Sequence, residues 1–300
     1  MTHSLRRVAV VGLGAMGGPM AACLLRAGHA VCAADIDPAA RERFAAAGGS
    51  VCGSAAQAAE QAEVLLVMVH TADQVDAVLF GDGGAAAALG PQAVVWLAST
   101  VTPAYARALA SRLAAMGLAL ADGPVSGGVD RAAAGALTVM AGGAQQALDR
   151  AESVMQACAE RIYRVGEAGA GSTFKMINQL LTGAHIALAS EAIALGARAG
   201  VDPSMLVEVI RQSAGTSLQF ERRAPRMVAG DHTPHTTVQT FLKDLGIALD
   251  AARALDFPLP LASAANQVFT MAAALGHARD SDTQVISVYQ SFGAPIGLVQ

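Results

Sequence analysis

The stretch Val8-Ala9-Val10-Val11-Gly12-Leu13-Gly14-Ala15-Met16-Gly17 decides how this chain folds. Its four apolar residues predict a buried strand, and the periodicity over Pro19 to Ala27 predicts a helix that stops at Gly28. Between them the glycines form a GxGxxG pattern, with Leu13, Ala15 and Met16 filling the loop. Gly12 permits a tight turn, Gly14 lets a pyrophosphate approach the backbone, and Gly17 lets helix and strand pack closely. The helix N-terminus favours the negative charge. The next strand-like run, Ala30 to Ala34, ends at Asp35, eighteen residues beyond Gly17. A carboxylate there accepts from ribose hydroxyls and repels a 2′-phosphate, so the expected cofactor is NAD, with NADP disfavoured. Asp37 competes for this role, and Arg41 or Arg43 would soften the discrimination.

Outward from this loop, strand-like runs at Val64 to Val69, Ala93 to Leu97, Leu118 to Ala121 and Thr138 to Ala141 alternate with Ala-rich helical stretches. That alternation implies βαβ units, and the continuous apolar character of the strands implies a sheet covered on both faces. Beyond Arg164 the strand texture gives way to helical patterns over Ser172 to Ala199, Pro203 to Gln212, Val238 to Leu255 and Leu261 to Leu275. Asp202-Pro203 reads as an N-cap followed by proline in the first turn. The expected fold class is α/β: a Rossmann-type N-terminal domain with a parallel-rich sheet over residues 1–166, and an all-α C-terminal domain over residues 167–300. The expected boundary lies in Gly166-Glu167-Ala168-Gly169-Ala170-Gly171.

Composition narrows the function classes. Hydrophobic residues make up 53% of the 300 and charged residues 15%, which excludes a disordered chain. A net charge of −4 gives no electrostatic case for nucleic acid. The mean hydropathy of +0.43 raises the question of a membrane. The most apolar segment, Leu180 to Ala199, carries His185, Glu191 and Arg198 and reads as a buried helix, so no membrane partner is expected. The run from Met1 to Arg7 leads straight into the first strand and has no secretory pattern. The four cysteines form no CxxC pair, so neither a metal site nor a disulfide scaffold is expected, and a reducing cytoplasm is the expected location.

Four ordered motifs make the whole chain resemble the β-hydroxyacid dehydrogenase family. They are Gly12-Leu13-Gly14-Ala15-Met16-Gly17-Gly18-Pro19-Met20-Ala21, Asp122-Gly123-Pro124-Val125-Ser126-Gly127-Gly128, Gly169-Ala170-Gly171-Ser172-Thr173-Phe174-Lys175-Met176-Ile177-Asn178-Gln179, and Lys243-Asp244-Leu245-Gly246. The resemblance implies that the second motif holds the substrate carboxylate, and a Ser126 hydroxyl beside the bare N–H groups of Gly127 and Gly128 is suited to an anion. It implies that Lys175 is the catalytic lysine. Oxidising a secondary alcohol requires a base for the hydroxyl proton, and a lysine serves near neutral pH when burial or neighbouring positive charge lowers its pKa. Asn178, one helical turn on, would hold the substrate hydroxyl in register with it, and Thr182 extends that face.

The resemblance also puts Met68 and Val69 beside the cofactor, Thr100 at its nicotinamide end, and Lys243 at a secondary contact with Phe241 packed nearby. His70 stands where relatives often carry proline and is an alternative acid–base group. Cys23 replaces an asparagine common in relatives. The stretches from Ser126 to Gly135, Lys243 to Ala248 and Phe257 to Ser263 look most like the L-threonate dehydrogenase branch. Gln179, where many relatives carry a second asparagine, and His185 suit a polar pocket. The expected substrate is a small hydroxy acid, a four-carbon sugar acid, with 3-hydroxyisobutyrate and tartronate semialdehyde as alternatives. An imine reductase usually replaces the lysine, and a non-catalytic NAD-binding protein would not keep Lys175, Asn178 and the Ser-Gly-Gly turn together. The long apolar helix implies a homodimer or homotetramer.

Overall fold

Strand β1 (Arg7–Val11) enters the glycine loop and helix α1 (Gly17–Arg26) leaves it. The computed structural model describes residues 5–291, and the chain divides into two units, Met1–Lys175 and Met176–Gln300. In the first unit the chain continues through β2 (Ala30–Ala34), α2 (Pro38–Ala46), β3 (Ser50–Val51), α3 (Ala55–Ala59), β4 (Val64–Val67) and α4 (Ala72–Phe80). There follow β5 (Val94–Leu97), α5 (Pro103–Ala114), β6 (Ala119–Asp122), β7 (Val125–Ser126), α6 (Val129–Ala133), β8 (Leu137–Gly142), α7 (Gln145–Cys158) and β9 (Ala159–Gly166).

The strands form one sheet in the order β3-β2-β1-β4-β5-β6-β8-β7, with β9 pairing β8. From β3 to β6 every pair is parallel, which is the doubly wound arrangement. Its strand order reverses between β1 and β4, where ligands bind in such sheets. β8 then runs antiparallel to β6 and β7. Side chains alternate into two apolar layers. Val8, Val10, Leu66 and Trp96 face one, and Ala9, Leu65, Val95 and Leu97 face the other. Burial on both faces explains why these strands read as unbroken apolar runs.

The second unit is helical. Helix α8 (Ala170–Arg198) straddles the division, and α9 (Pro203–Arg211), α10 (Leu218–Ala229), α11 (Val238–Ala254) and α12 (Pro260–Ala272) follow. Short turns at Ala273–His277 and Asp282–Ile286 lead to α13 (Ser287–Gln290). Its core gathers Ile186, Ile193, Phe220, Phe241, Leu245 and Phe269, with the Phe241 and Phe269 rings stacked at 5.2 Å. Asp202 caps α9 by accepting from Met205 N at 2.8 Å, the cap read from Asp202-Pro203.

Three features depart from the expectations. Helix α10 has no counterpart among the helical patterns of the sequence, because it carries Pro225 internally and the charged run Glu221-Arg222-Arg223. It is held by its buried Phe220, Ala224 and Met227 rather than by propensity. Strand β9 is equally silent in the sequence, because its residues are mostly exposed and lack the apolar run that marks the others. Cys32 and Cys52 form a disulfide, against the expectation that the cysteines stay unpaired. Parallel pairing of β2 with β3 sets Cys32 opposite Ser50 and brings Cys52 alongside, a cross-strand proximity that no CxxC spacing can reveal. Cys23 and Cys158 are buried thiols.

Candidate functional site

The glycine loop crosses the carboxyl ends of β1 and β4. Gly12 has φ near +98°, and a Cβ there would stand 2.1 Å from the Met68 carbonyl. A Cβ on Gly17 would stand 1.8 Å from the Gly12 carbonyl. Both glycines are therefore required by the protein's own packing. Gly14 is different: nothing lies within 4 Å of where its Cβ would be. The space beside Gly14 is a cradle that a side chain would fill, which is the fit a pyrophosphate requires. Leu13, Ala15 and Met16 complete the loop, and Leu13 is buried.

Asp35 and Asp37 are separated by what they hold. One Asp35 carboxylate oxygen accepts from Leu13 N at 2.5 Å and the other from Asp37 N at 2.7 Å. Asp35 therefore ties the end of β2 to the glycine loop. Asp37 caps α2 by accepting from Ala39 N at 3.0 Å. Arg41 donates to the Asp35 carbonyl at 2.6 Å, and Arg43 lies 3.8 Å from Asp37.

Hydrogen bonds carry the ladder past the strand ends. Met68 N donates to Val11 O, Ala98 N to Val67 O and Gly123 N to Leu97 O. Ser99 Oγ accepts from Val69 N at 2.9 Å, which fixes Val69 against the segment bearing Thr100. Met68, Val69 and Thr100 thus follow directly on β4 and β5 in the sheet that carries the glycine loop. His70 is exposed, and its N–H donates to Gln74 Oε1 at 2.8 Å beside the capping box of α4.

Ser126 lies in β7, paired with Thr138 of β8, so the Ser-Gly-Gly turn leaves the antiparallel part of the sheet. Gly127 and Gly128 turn the chain with φ of +147° and +81°, and α6 begins after them. The Trp96 indole N–H donates to Gly123 O at 2.7 Å and holds the base of this loop.

Asp122 opens the second motif without an evident task in the sequence, and the structure supplies one. It is fully buried at the end of β6. Its carboxylate accepts from Gly169 N at 2.8 Å, Ser172 N at 3.0 Å and Ser172 Oγ at 2.6 Å. Burial pushes its carboxyl upward, while the Ser172 and Gly169 donors pull the other way. Asp122 is a cap supplied from the sheet for the first turn of α8. A Cβ on Gly171 would stand 2.1 Å from the Asp122 carbonyl and 2.4 Å from that of Met140, so this turn lies directly on β6 and β8. Lys175 follows one turn later and is buried, 8% exposed. No local signal in the sequence points to this cap, because its donors lie 47 and 50 residues away.

In the second unit, Asn178 is half-buried and Gln179 buried. Asn178 Nδ2 donates to Gln179 Oε1 at 3.0 Å, and Gln179 Nε2 donates to Asp244 Oδ2 at 2.5 Å. Lys243 Nζ lies 2.8 Å from Asp244 Oδ1. Thr182 Oγ1 donates back to the Asn178 carbonyl at 2.8 Å. Phe241 is buried in the helical core, stacked on Phe269. Among the described residues, no group of three or more His, Cys, Asp or Glu side chains could hold a metal ion. Helix α8 is the one described helix long and apolar enough by composition to cross a membrane, and it carries Lys175, Glu191 and Arg198.

Comparison with known proteins accords with this arrangement. Residues 7–166 match the NAD binding domain of 6-phosphogluconate dehydrogenase, and residues 169–289 match the NAD-binding domain of NADP-dependent 3-hydroxyisobutyrate dehydrogenase. The chain is 50% identical over 291 residues to an L-threonate dehydrogenase of Cupriavidus necator, covering 97% of this chain and 98% of that one. It is 44% identical over 296 residues to an L-threonate dehydrogenase of Escherichia coli K12, covering 98% of each. A crystal structure described as a 3-hydroxyisobutyrate dehydrogenase from Salmonella typhimurium superposes with a TM-score of 0.89 at 43% identity, covering 94% of this chain and 99% of that one. The paired family matches and these whole-length likenesses make the chain a member of the β-hydroxyacid dehydrogenase family, an oxidoreductase that uses a nicotinamide dinucleotide on small hydroxy acids.

Proposed function

We propose that the chain oxidises L-threonate, a four-carbon sugar acid, and uses NAD in preference to NADP. The observation that carries the substrate is the whole-length likeness to L-threonate dehydrogenases from two organisms. Gln179 in place of a second asparagine supports a pocket built for hydroxyl groups. The preference for NAD rests on Asp35, whose carboxylate lies against the glycine loop at the end of β2, whereas Asp37 lies beyond it at the start of α2. A 2′-phosphate would meet the Asp35 negative charge.

In this reading Gly12, Leu13, Gly14, Ala15, Met16 and Gly17 hold the pyrophosphate, with Met68, Val69, Thr100 and Lys243 as further cofactor contacts. Ser126 Oγ and the N–H groups of Gly127 and Gly128 hold the substrate carboxylate. Asn178 holds a substrate hydroxyl in register with Lys175, and the Lys175 amine takes the proton of the reacting hydroxyl. A bound nicotinamide ring supplies the acceptor for the hydride.

The test is a panel of L-threonate, 3-hydroxyisobutyrate and glycerate, each with NAD and NADP, followed by reduced-cofactor absorbance. The expected result is the highest kcat/KM for L-threonate with NAD. A higher value for 3-hydroxyisobutyrate, the substrate named for the Salmonella structure, would replace the substrate. A higher value with NADP would remove the Asp35 assignment.

We also infer a homodimer or homotetramer; the Cys32–Cys52 disulfide removes the support that unpaired cysteines gave to a reducing cytoplasm. Phe174, Leu181, Leu188 and Leu195 are all more than half exposed and recur every seven residues along α8. Such an apolar stripe is a seam for a second helix. Light scattering of the purified chain reads the assembly directly, and a monomer at micromolar concentration would exclude it.

A further inference from the structure

Asp244 is buried, 2% exposed, with Lys243 at one carboxylate oxygen and Gln179 at the other. A carboxylate beside an ammonium group can only accept, so Gln179 must turn its Nε2 toward Asp244. The same amide then turns its Oε1 the opposite way. Asn178 meets that oxygen at 3.0 Å, so it must offer its own Nδ2. The direction of each amide follows from the charge of Asp244 and holds however the amide O and N atoms are assigned. Neighbouring residues on a helix diverge and do not ordinarily meet. The contact between Asn178 and Gln179 therefore needs a cause outside α8, and the pull of Asp244 from α11 supplies one.

We infer that Asp244 and Gln179 are positioning residues that orient the Asn178 amide so that its Oδ1 is the edge presented to substrate, where it accepts from a second hydroxyl of the sugar acid while the one proton of the reacting hydroxyl goes to Lys175, which makes the site select a substrate with a hydroxyl donor beside the reacting carbon. The inference rests on the proposed role of Asn178 in holding the substrate hydroxyl. A reversed amide would present NH2 instead and would suit a carbonyl or carboxylate oxygen. The Lys243–Asp244 ion pair and the hydrogen bonds from Gln179 to Asp244 and from Asn178 to Gln179 thus form a polarity selector, in which Asp244 and Gln179 need not touch the substrate themselves.

Reciprocal substitution provides the test. Gln179→Glu sets two carboxylates against each other and removes the donor to Asp244. Its kcat/KM for L-threonate is expected to fall by about tenfold or more, the size of an effect from a mispaired buried group. The double variant Gln179→Glu/Asp244→Asn restores the pattern. The amide introduced at position 244 donates through its Nδ2 to the carboxylate introduced at position 179, and its Oδ1 still faces the Lys243 ammonium group. The new carboxylate at position 179 still accepts from Asn178. That variant is expected to recover kcat/KM to within about threefold of the parent, a non-additivity of the kind that double-mutant cycles detect.

Gln179→Met, which keeps length but loses both amide groups, is expected to lower kcat/KM in the parent and to add nothing in an Asn178→Ala background. Circular dichroism and melting temperature establish that each variant folds. Retained activity in folded Gln179→Glu and Gln179→Met would overturn the inference. So would absence of rescue in the folded double variant, or a full additional loss on adding Gln179→Met to Asn178→Ala. If Asn178→Ala itself keeps parental kcat/KM, the proposed role of Asn178 fails, and the inference with it.

Discussion

The glycine loop and the helix that bears Lys175 present functional groups in opposite ways. At the loop the chain offers backbone, and side chains are kept away: Gly12 and Gly17 have no room for one, and Gly14 leaves open space. Along α8 the groups are side chains, each set by partners distant in sequence, as Asp122 sets the first turn and Asp244 sets Gln179. A backbone site is defined by what residues lack, while a side-chain site is defined by what surrounds them. Substitutions should therefore have different signatures in the two regions.

The largest effect is expected in the side-chain region. Lys175→Ala should lower kcat by about a thousandfold, within the range for loss of a general base. Reduced-cofactor affinity, read by fluorescence titration, should stay within about twofold, because the glycine loop, the proposed pyrophosphate site, is untouched. Parental turnover at neutral pH would break the assignment.

A smaller, separable effect is expected in the backbone region. Gly14→Ala should leave the melting temperature unchanged, because nothing lies within 4 Å of its Cβ, yet weaken cofactor binding. Gly17→Ala should lower the melting temperature as well, because its Cβ would meet the Gly12 carbonyl. Equal thermal shifts in the two variants would erase the distinction between open space and packed wall.

Asp122→Ala strips an acceptor from a buried helix start and should cost about 2 kcal/mol in denaturant unfolding, as expected when buried donors lose their partner. Loss of less than about 0.5 kcal/mol would mean that the donors find water or another oxygen.

The smallest effect lies outside both regions. His232, whose Nδ1 is 2.8 Å from Thr283 Oγ1, has its pKa lowered mainly by burial, with Arg226 adding to the effect. The unfolded chain then binds the proton more readily. Stability should be full above the ordinary histidine range and decline as pH falls through it. His232→Gln should flatten that dependence in pH-resolved melting curves.

How much of this is legible in the sequence follows the same division. The loop, the acid at Asp35 and the alternation of strands and helices are visible because each is a local pattern: spacing, a strand end, a period. Lys175 stands out because its neighbours on α8 are uncharged. What escapes is contact between distant segments. Nothing local tells that Asp122 reaches Ser172, that Gln179 reaches Asp244, or that Cys32 meets Cys52 across β2 and β3. Helix α10 escapes for a related reason, since burial of Phe220 and Met227 overrides its internal proline.

Asp122 ends the strand leading toward the Ser-Gly-Gly turn, and its carboxylate grips the helix that carries Lys175. On the proposed roles of Ser126 and Lys175, the span between acid grip and amine is a gauge cut by the sheet, and a longer hydroxy acid would have to bend to suit it. Inserting one residue between Asp122 and Ser126 should recalibrate the gauge and shift preference toward chains with an extra carbon between acid and alcohol.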